Sequence, residues 1–206
     1  MKRQRRGSTF SARKSPRMDK LSPNERKQVK RIVNYNREKK HFTFSDVGAV
    51  VTNVWNIIDI SGVNQGDTQS TRDGDQIKVL LTEINAHLVT STADDIIRVC
   101  VFRWSNNSVP GAADVFQAIS STIAGYHSPY NQQNLRFIHP IYDRTFAIAP
   151  QIPVQTFKVR GGPQPYTVFN TGLLTGSNKI YMAVVKSGAG GSPTINYRGQ
   201  LMYTDS

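Results

Sequence analysis

The sequence predicts an all-β fold, an eight-stranded single jelly roll of two four-stranded antiparallel sheets, preceded by a basic N-terminal arm and a short amphipathic N-terminal helix. Three observations lead there. From Phe42 onward, apolar runs of strand length rich in Val, Ile, Tyr, Phe and Thr recur between clusters of Gly, Pro, Asn and Ser, with no sustained helical period. Eight such runs suit two packed sheets, whereas an immunoglobulin-like sandwich is smaller and its usual cysteine pair is missing. Finally, the charge is lopsided: residues 1–40 hold 15 Lys/Arg and 3 acids, while residues 41–206 hold 11 of each.

Residues 1–21 are polar, basic and nearly free of large apolar side chains, so they cannot bury enough surface to offset their ordering entropy; a disordered basic arm is expected. The helix is expected over 22–40. Ser22 is its N-cap, Pro23 its first residue and Glu25 the reciprocal member of a capping box. Val29, Ile32 and Val33 form a narrow apolar stripe, with Arg26, Lys27, Lys30, Arg31 and Arg37 around much of the remaining circumference. Such a helix is marginal alone and needs the body, a neighbouring chain or a polyanion to hold it.

The jelly-roll body is expected over 41–206. Its strand runs are "VGAVVTNVWNII", "DQIKVLLTEINAHLV", "DIIRVCVFRW", "LRFIHPIYDRTFAI", "PVQTFKVRG", "QPYTVFN", "NKIYMAVVKS" and "TINYRGQLMYT". One insertion, "PGAADVFQAISSTI" at 110–123, carries Val115, Phe116, Ile119 and Ile123 at helical spacing. Polar, turn-rich stretches at 105–110, 161–165 and 188–193 are expected on the outer surface.

The chain has 206 residues, 38% of them hydrophobic, and a formal charge of +12. That length supports one sizeable core. The charge points to a polyanionic partner, and its location makes the arm the binding element: Lys2, Arg3, Arg5, Arg6, Arg13, Lys14, Arg17, Lys20, Arg26, Lys27, Lys30, Arg31 and Arg37. Counterion release makes each phosphate contact favourable without sequence readout, and isolated Phe10 and Tyr35 offer no stacking platform. A lone Cys100 inside "IIRVCVFRW" excludes an internal disulfide and reads as a small core residue. No apolar run is long enough to span a membrane, and nothing in "MKRQRR" resembles a secretory signal.

Enzymatic chemistry is not indicated. His41, His87, His127 and His139 are scattered without the short spacing of metal ligands, which also disfavours a cupin-like enzyme. No nucleophile elbow, Walker loop or zincin motif occurs. "RGGP" and "SGAGGSP" are glycine loops without a following helix or lysine, and Asp94–Asp95 reads as a solvated turn. The stretch "NQGDTQSTRDGDQ" is less plain. Asp67, Asp73 and Asp75 offer hard oxygen ligands suited to Ca2+, or Asp73–Gly74 simply supplies a turn before the strand.

A basic arm, a basic helix and a neutral jelly roll are the plan of small icosahedral coat proteins. "ERKQVKRIVNYNREKKHF", "QGDTQSTRDGDQIKV", "SPYNQQNLRFIHPIYDRTFAI" and "MYTDS" resemble the satellite tobacco necrosis virus coat protein family, and also the capsid proteins of small circular single-stranded DNA viruses that encode a replication initiator. The resemblance runs from Glu25 to the C-terminus and is weak over 111–126 and 161–192. It implies a non-enzymatic capsid protein forming a T=1 shell of sixty subunits around a single-stranded genome, with the arm inside. It further implies structural Ca2+ between subunits, held by Glu38 and Asp205, by backbone carbonyls at Asp73 and Gln76, and by Asp67 on a threefold axis. Asp73 stands where the family has serine, a change that either strengthens the ion site or replaces it with a salt bridge to Arg72 or a neighbour's lysine. "KRQRR" and "RKSPR" would suit nuclear import, which favours DNA over RNA as the packaged strand. The rival expectation is a cellular, non-specific nucleic-acid-binding module with a β-sandwich body and a basic tail.

Overall fold

The computed structural model describes residues 22–35, 38–90, 94–117, 125–187 and 191–205, the side chains of residues 30–35 excepted. The expectations for the arm, for Ile119 and Ile123, and for the side chains of Lys30, Arg31, Ile32, Val33 and Arg37 fall outside that set. The chain divides into two compact units, 1–37 and 38–206.

In the first unit, α1 spans Pro23–Tyr35. Its start is the expected capping box: Glu25 N donates to Ser22 Oγ at 3.3 Å and Ser22 N donates to Glu25 Oε2 at 2.8 Å. Those bonds from Ser22 hold the Glu25 carboxyl below its ordinary value. Pro23 carries no N–H, so two of the three otherwise orphaned helix donors are thereby satisfied.

The second unit is a β-sandwich. Its strands are β1 (Lys40–Val50), β2 (Asn56–Asp59), β3 (Gln76–Val89), β4 (Asp95–Trp104), β5 (Ile138–Ile148), β6 (Val154–Gly161), β7 (Tyr166–Phe169), β8 (Gly176–Ser177), β9 (Lys179–Lys186) and β10 (Thr194–Asp205). One sheet runs β1-β10-β3-β7-β8 with β6 also on β3; the other runs β2-β9-β4-β5. All pairings between these strands are antiparallel. This is the jelly roll expected from the sequence, with a six-stranded sheet where four strands were expected. The ten strands exceed the eight expected runs because the first run divides into β1 and β2 and because the two-residue β8 precedes β9. β6 and β7, two separate runs, both pair with β3, at Thr82–Val89 and at Gln76–Lys78, with Pro163 and Pro165, which lack the N–H that a ladder needs, between them.

Pro140 sits inside β5, which is tolerated because β5 is an edge strand and the ladder shifts beside it, between Val101 and Phe102. Of the helix expected at 110–123, the described residues, up to 117, hold a single turn, α2 (Ala112–Val115), followed at once by the Phe116–Tyr130 bridge, and the rest lies outside the described residues. Phe116 stacks on Trp55 at 3.6 Å between ring centroids, so aromatic packing draws the chain out of helix there.

The two sheets bury different patterns. β3, β6 and β10 alternate, sending Ile77, Val79, Ile84, Leu88, Val159, Ile195 and Leu201 into the core between the sheets. β9 is buried at every position. Cys100, Phe102, Trp104, Tyr181 and Ala183 form a second cluster with Val115, Phe116 and Ile138, and Tyr130 and Phe137 pack against it, so these described residues cover the outer face of the four-stranded sheet. The continuous apolar runs of β4 and β9 reflect burial on both faces. The outer face of the six-stranded sheet has no such cover among the described residues.

Candidate functional site

The 64–76 segment folds around Arg72. Its backbone closes a tight loop: Gly66 N donates to Arg72 O at 2.9 Å and Arg72 N donates to Asn64 O at 2.9 Å. The guanidinium is 1% exposed. Nε donates to Val63 O at 3.2 Å, Nη2 to Leu173 O at 3.0 Å, and Nη1 to Gly74 O and to Asp75 Oδ1, the latter at 3.2 Å. The group also lies over the Phe169 ring at 4.2 Å. Asp75 is completed by Thr171, whose hydroxyl donates to Oδ2 at 3.1 Å. Asp75 is therefore a structural partner of Arg72 rather than an open ligand.

Asp73 faces the other way. Lys40, the first residue of β1, lies opposite Tyr203 of β10, which brings its side chain beside Asp205 at the strand's end. The Lys40 ammonium donates to Asp73 Oδ1 at 2.7 Å and Thr71 O at 3.2 Å, and lies 2.8 Å from Asp205 Oδ2. Three oxygens from two chain segments, the 64–76 turn and the end of β10, thus surround one buried cation. Burial pushes the lysine pKa down, but the hydrogen bonds and charges of Asp205 and Asp73 outweigh it and the net shift is upward. The bond from Lys40 in turn holds the Asp73 carboxyl below its usual value.

Of the residues the sequence assigned to an ion, Asp73 and Asp205 come together, both on Lys40. Glu38 is exposed two residues before β1. The Tyr203 phenol, buried without a hydrogen-bond partner among the described residues, is pushed up to about 12, by burial first and then by the charges of Asp205, Asp73 and Glu38 against that of Lys40. Gln76 opens β3 opposite Val168. Asp67 is exposed in the preceding turn. Of the two salt bridges weighed for Asp73, neither forms within the chain: Arg72 takes Asp75, and Asp73 takes Lys40 of its own chain.

Asp73 and Asp205 flank a single ammonium, and Asp205 Oδ1 is buried with no hydrogen-bond donor among the described residues. One chain alone gathers no three His, Cys, Asp or Glu side chains fit to hold a metal among those residues.

A second polar cluster was not foreseen. Asp143 of β5 takes a two-pronged ion pair from Arg98 of β4, Nε to Oδ1 at 2.8 Å and Nη2 to Oδ2 at 2.6 Å. Tyr130 Oη donates to Oδ2 at 2.9 Å and the Cys100 thiol to Oδ1 at 3.2 Å. Arg98 Nη1 also donates to Tyr126 O at 3.2 Å and Ser128 O at 2.6 Å. Burial pushes the Cys100 thiol and the Tyr130 phenol up, so both stay protonated as donors. The cluster ties the 125–131 segment to the four-stranded sheet. Arg98 and Asp143 lie 45 positions apart, and only the β4–β5 register, with Cys100 opposite Asp143, brings them together.

Among the described cations of the expected nucleic-acid interface, Arg26 and Lys27 lie on the exposed first turns of α1. Lys2, Arg3, Arg5, Arg6, Arg13, Lys14, Arg17, Lys20 and Arg37 lie outside the described residues.

The family model described as satellite tobacco necrosis virus coat protein matches residues 11–159. That match takes in the helix and the 64–76 segment and stops before the C-terminal "MYTDS". No curated protein sequence matches significantly. Among solved structures, a chain from desmodium yellow mottle tymovirus is similar over 81% of this chain and 84% of that one, at 11% identity and a TM-score of 0.39.

Proposed function

Because the chain belongs to the satellite tobacco necrosis virus coat protein family, we propose that its structural role as a viral coat protein takes the form of a T=1 shell of sixty copies, closed around a single-stranded genome. The observation that carries this reading is the division of charge: +12 over residues 1–40 and zero over residues 41–206. A neutral body can pack closely against copies of itself, while the arms hold the polyanion. Sixty arms bring about 720 positive charges to the interior, enough to offset several hundred phosphates without reading sequence. We assign DNA rather than RNA to the interior on the nuclear-import character of "KRQRR" and "RKSPR", with assembly in the host nucleus.

Ca2+ belongs to the same proposal. Glu38, Asp73, Asp205 and the Gln76 carbonyl would hold it, with ligands completed across a subunit boundary, and Asp67 would meet its copies at the threefold axis. The ion would supply positive charge that lets these carboxylates approach. Lys40 already supplies part of that charge within each chain.

Sedimentation with ultraviolet absorbance tests the proposal. The expected species is a particle with about 1.4 MDa of protein, sixty copies of a 23.0 kDa chain, and in addition nuclease-protected single-stranded DNA, and it loosens in EDTA at neutral pH. A monomer that binds oligonucleotides only at low salt would refute the shell and favour the tailed binding module. RNA in the particle would refute the DNA assignment, and particles unchanged by EDTA would refute the ion.

A further inference from the structure

We infer that the uncovered face of the six-stranded sheet is a second contact surface for single-stranded nucleic acid, one that grips the sugar–phosphate backbone through Arg198, Lys158 and Arg160. The inference rests on the packaging role proposed above and adds to it a site on the folded body.

The argument starts from register. Side chains of alternate residues leave the sheet on its outer face, so the pairings define rows across four strands. One row reads Ser45, Arg198, Asn85, Lys158 and the next Thr43, Gln200, Glu83, Arg160. A third holds Asn196, His87 and Thr156. A groove of ≈ 800 Å³ lies over this part of the sheet. The middle of the face is thus made of cations, amides, hydroxyls and an imidazole. Apolar side chains gather at one end instead, where Val50, Thr194, Val89 and Val154 share a row.

The charges on this face are unevenly committed. Lys158 is paired with Glu83 at 2.6 Å yet leaves 56% of its side chain exposed. Glu83 is further occupied by Gln200, which donates to Oε2 at 3.0 Å. Asp46, opposite Tyr197, belongs to the alternate row and not to this face. Arg198 has no hydrogen bond or ion pair among the described residues, and Arg160 touches Glu83 only through its field. Three cations therefore share these rows with one occupied acid, in a body whose net charge is zero. Along β6 the outward cations repeat about every 7 Å, and β10 lies about 10 Å across the sheet from it. Long Arg and Lys side chains at that spacing can meet successive phosphates, with Thr43, Asn85 and Thr156 as supplementary donors. The groove is also lined by Phe44, Val47, Phe157 and Tyr197, so it is the cations of these rows, not an absence of apolar surface, that select a polyanion.

The test measures the salt dependence of binding of a fluorescein-labelled oligothymidylate to the full-length protein by anisotropy. Each lost phosphate contact lowers the slope of log K against log salt by about 0.7. The variant R160Q/R198Q is expected to lower it by about 1.4, whereas the charge-matched R136Q/R144Q keeps the wild-type slope. Circular dichroism melts confirm that both variants are folded. A wild-type slope in R160Q/R198Q, alongside a reduced one when Arg3, Arg5 and Arg6 become glutamine, would overturn the sheet site and leave arm-based packaging intact. Equal losses in both body variants would also overturn it, since the effect would then be net charge alone. Failure of R160Q/R198Q to assemble while its slope stays unchanged would make this face a contact between copies, again overturning the inference. Absence of salt-dependent binding in the wild type would sink the packaging role itself.

Discussion

Replacing Arg98 with Met removes the cation that organises the cluster on the four-stranded sheet while keeping most of the side chain's length. Lost with it are the two-pronged pair to Asp143, the bonds to the carbonyls of Tyr126 and Ser128, and the placement of the guanidinium over the rings of Trp55, Phe116 and Tyr130. Removing one partner of a fully buried pair costs about 3–5 kcal/mol. The Asp143 side chain here is 29% exposed and keeps bonds from Tyr130 and Cys100, which places the cost near the lower end, about 3 kcal/mol. For a domain of this size that is a fall in Tm of about 6–12 °C, read by thermal unfolding of dissociated protein at pH 7.

The same variant has a pH signature. Burial pushes the Asp143 carboxyl up, but the bonds from Arg98, Cys100 and Tyr130 and the charge of Arg98 outweigh it, so its folded pKa lies below the unfolded value. A carboxyl of that kind stabilises the fold fully above its unfolded pKa, about 3.9. The contribution is lost as pH falls through the lower folded value. The gap in Tm between wild type and R98M should therefore be constant from pH 7 to about 5 and close on further acidification. Removing both charges, as R98M/D143L, should recover part of the loss, because no unpaired carboxylate is left. A loss below about 2 °C at pH 7, or a gap that does not narrow in acid, would refute the assignment of the cluster as a stabilising ion pair.

Three further outcomes are expected. G199A should lower the midpoint of urea unfolding by an amount equivalent to about 1–3 kcal/mol, because a Cβ at Gly199 would overlap the Phe44 ring; an unchanged midpoint would show that the ring moves aside at no cost. K40M should lower Tm at neutral pH more than K158M does, since Lys40 is buried between two acids while Lys158 is mostly exposed; equal effects would refute the role of the Lys40 contacts. In S22A, helix content by circular dichroism should fall by an amount equivalent to about 1 kcal/mol of helix stability, and unchanged ellipticity would mean that the capping box is not what starts α1.

Much of the fold could be read from the sequence because it rests on local patterns. Ser22, Pro23 and Glu25 mark the start of α1 through bonds made within four residues. The strands of the body follow from runs of β-branched and aromatic residues between turn formers. Even the distinction between the sheets was present, since "KIYMAVVK" lacks the polar alternation of "TINYRGQLMYT". What misled was the insertion at 110–123. Val115 and Phe116 keep a helical period there, but stacking of Phe116 on Trp55, 61 positions earlier, ends α2 after one turn.

The candidate ion site was legible only in part. The sequence supplied Glu38, Asp73 and Asp205 as a set, on the strength of a resemblance. It gave no hint that Lys40 stands between two of them, because that follows from the pairing of Lys40 with Tyr203 across β1 and β10. Nor could it divide the two aspartates of "RDGD" between different cations. That division is made by where Arg72 is buried, under Phe169 and against Leu173 O.

By itself, then, the sequence determined the class of fold, the capped helix and the confinement of net charge to one end, all of which depend on neighbours a few residues apart. The tertiary structure decided which charges meet: Lys40 with Asp73 and Asp205, Arg98 with Asp143, and Arg198, Lys158 and Arg160 on one bare face. Those encounters depend on strand register, which is set by the fit of side chains from segments distant in sequence, and a one-residue slip would send every one of them to the opposite face.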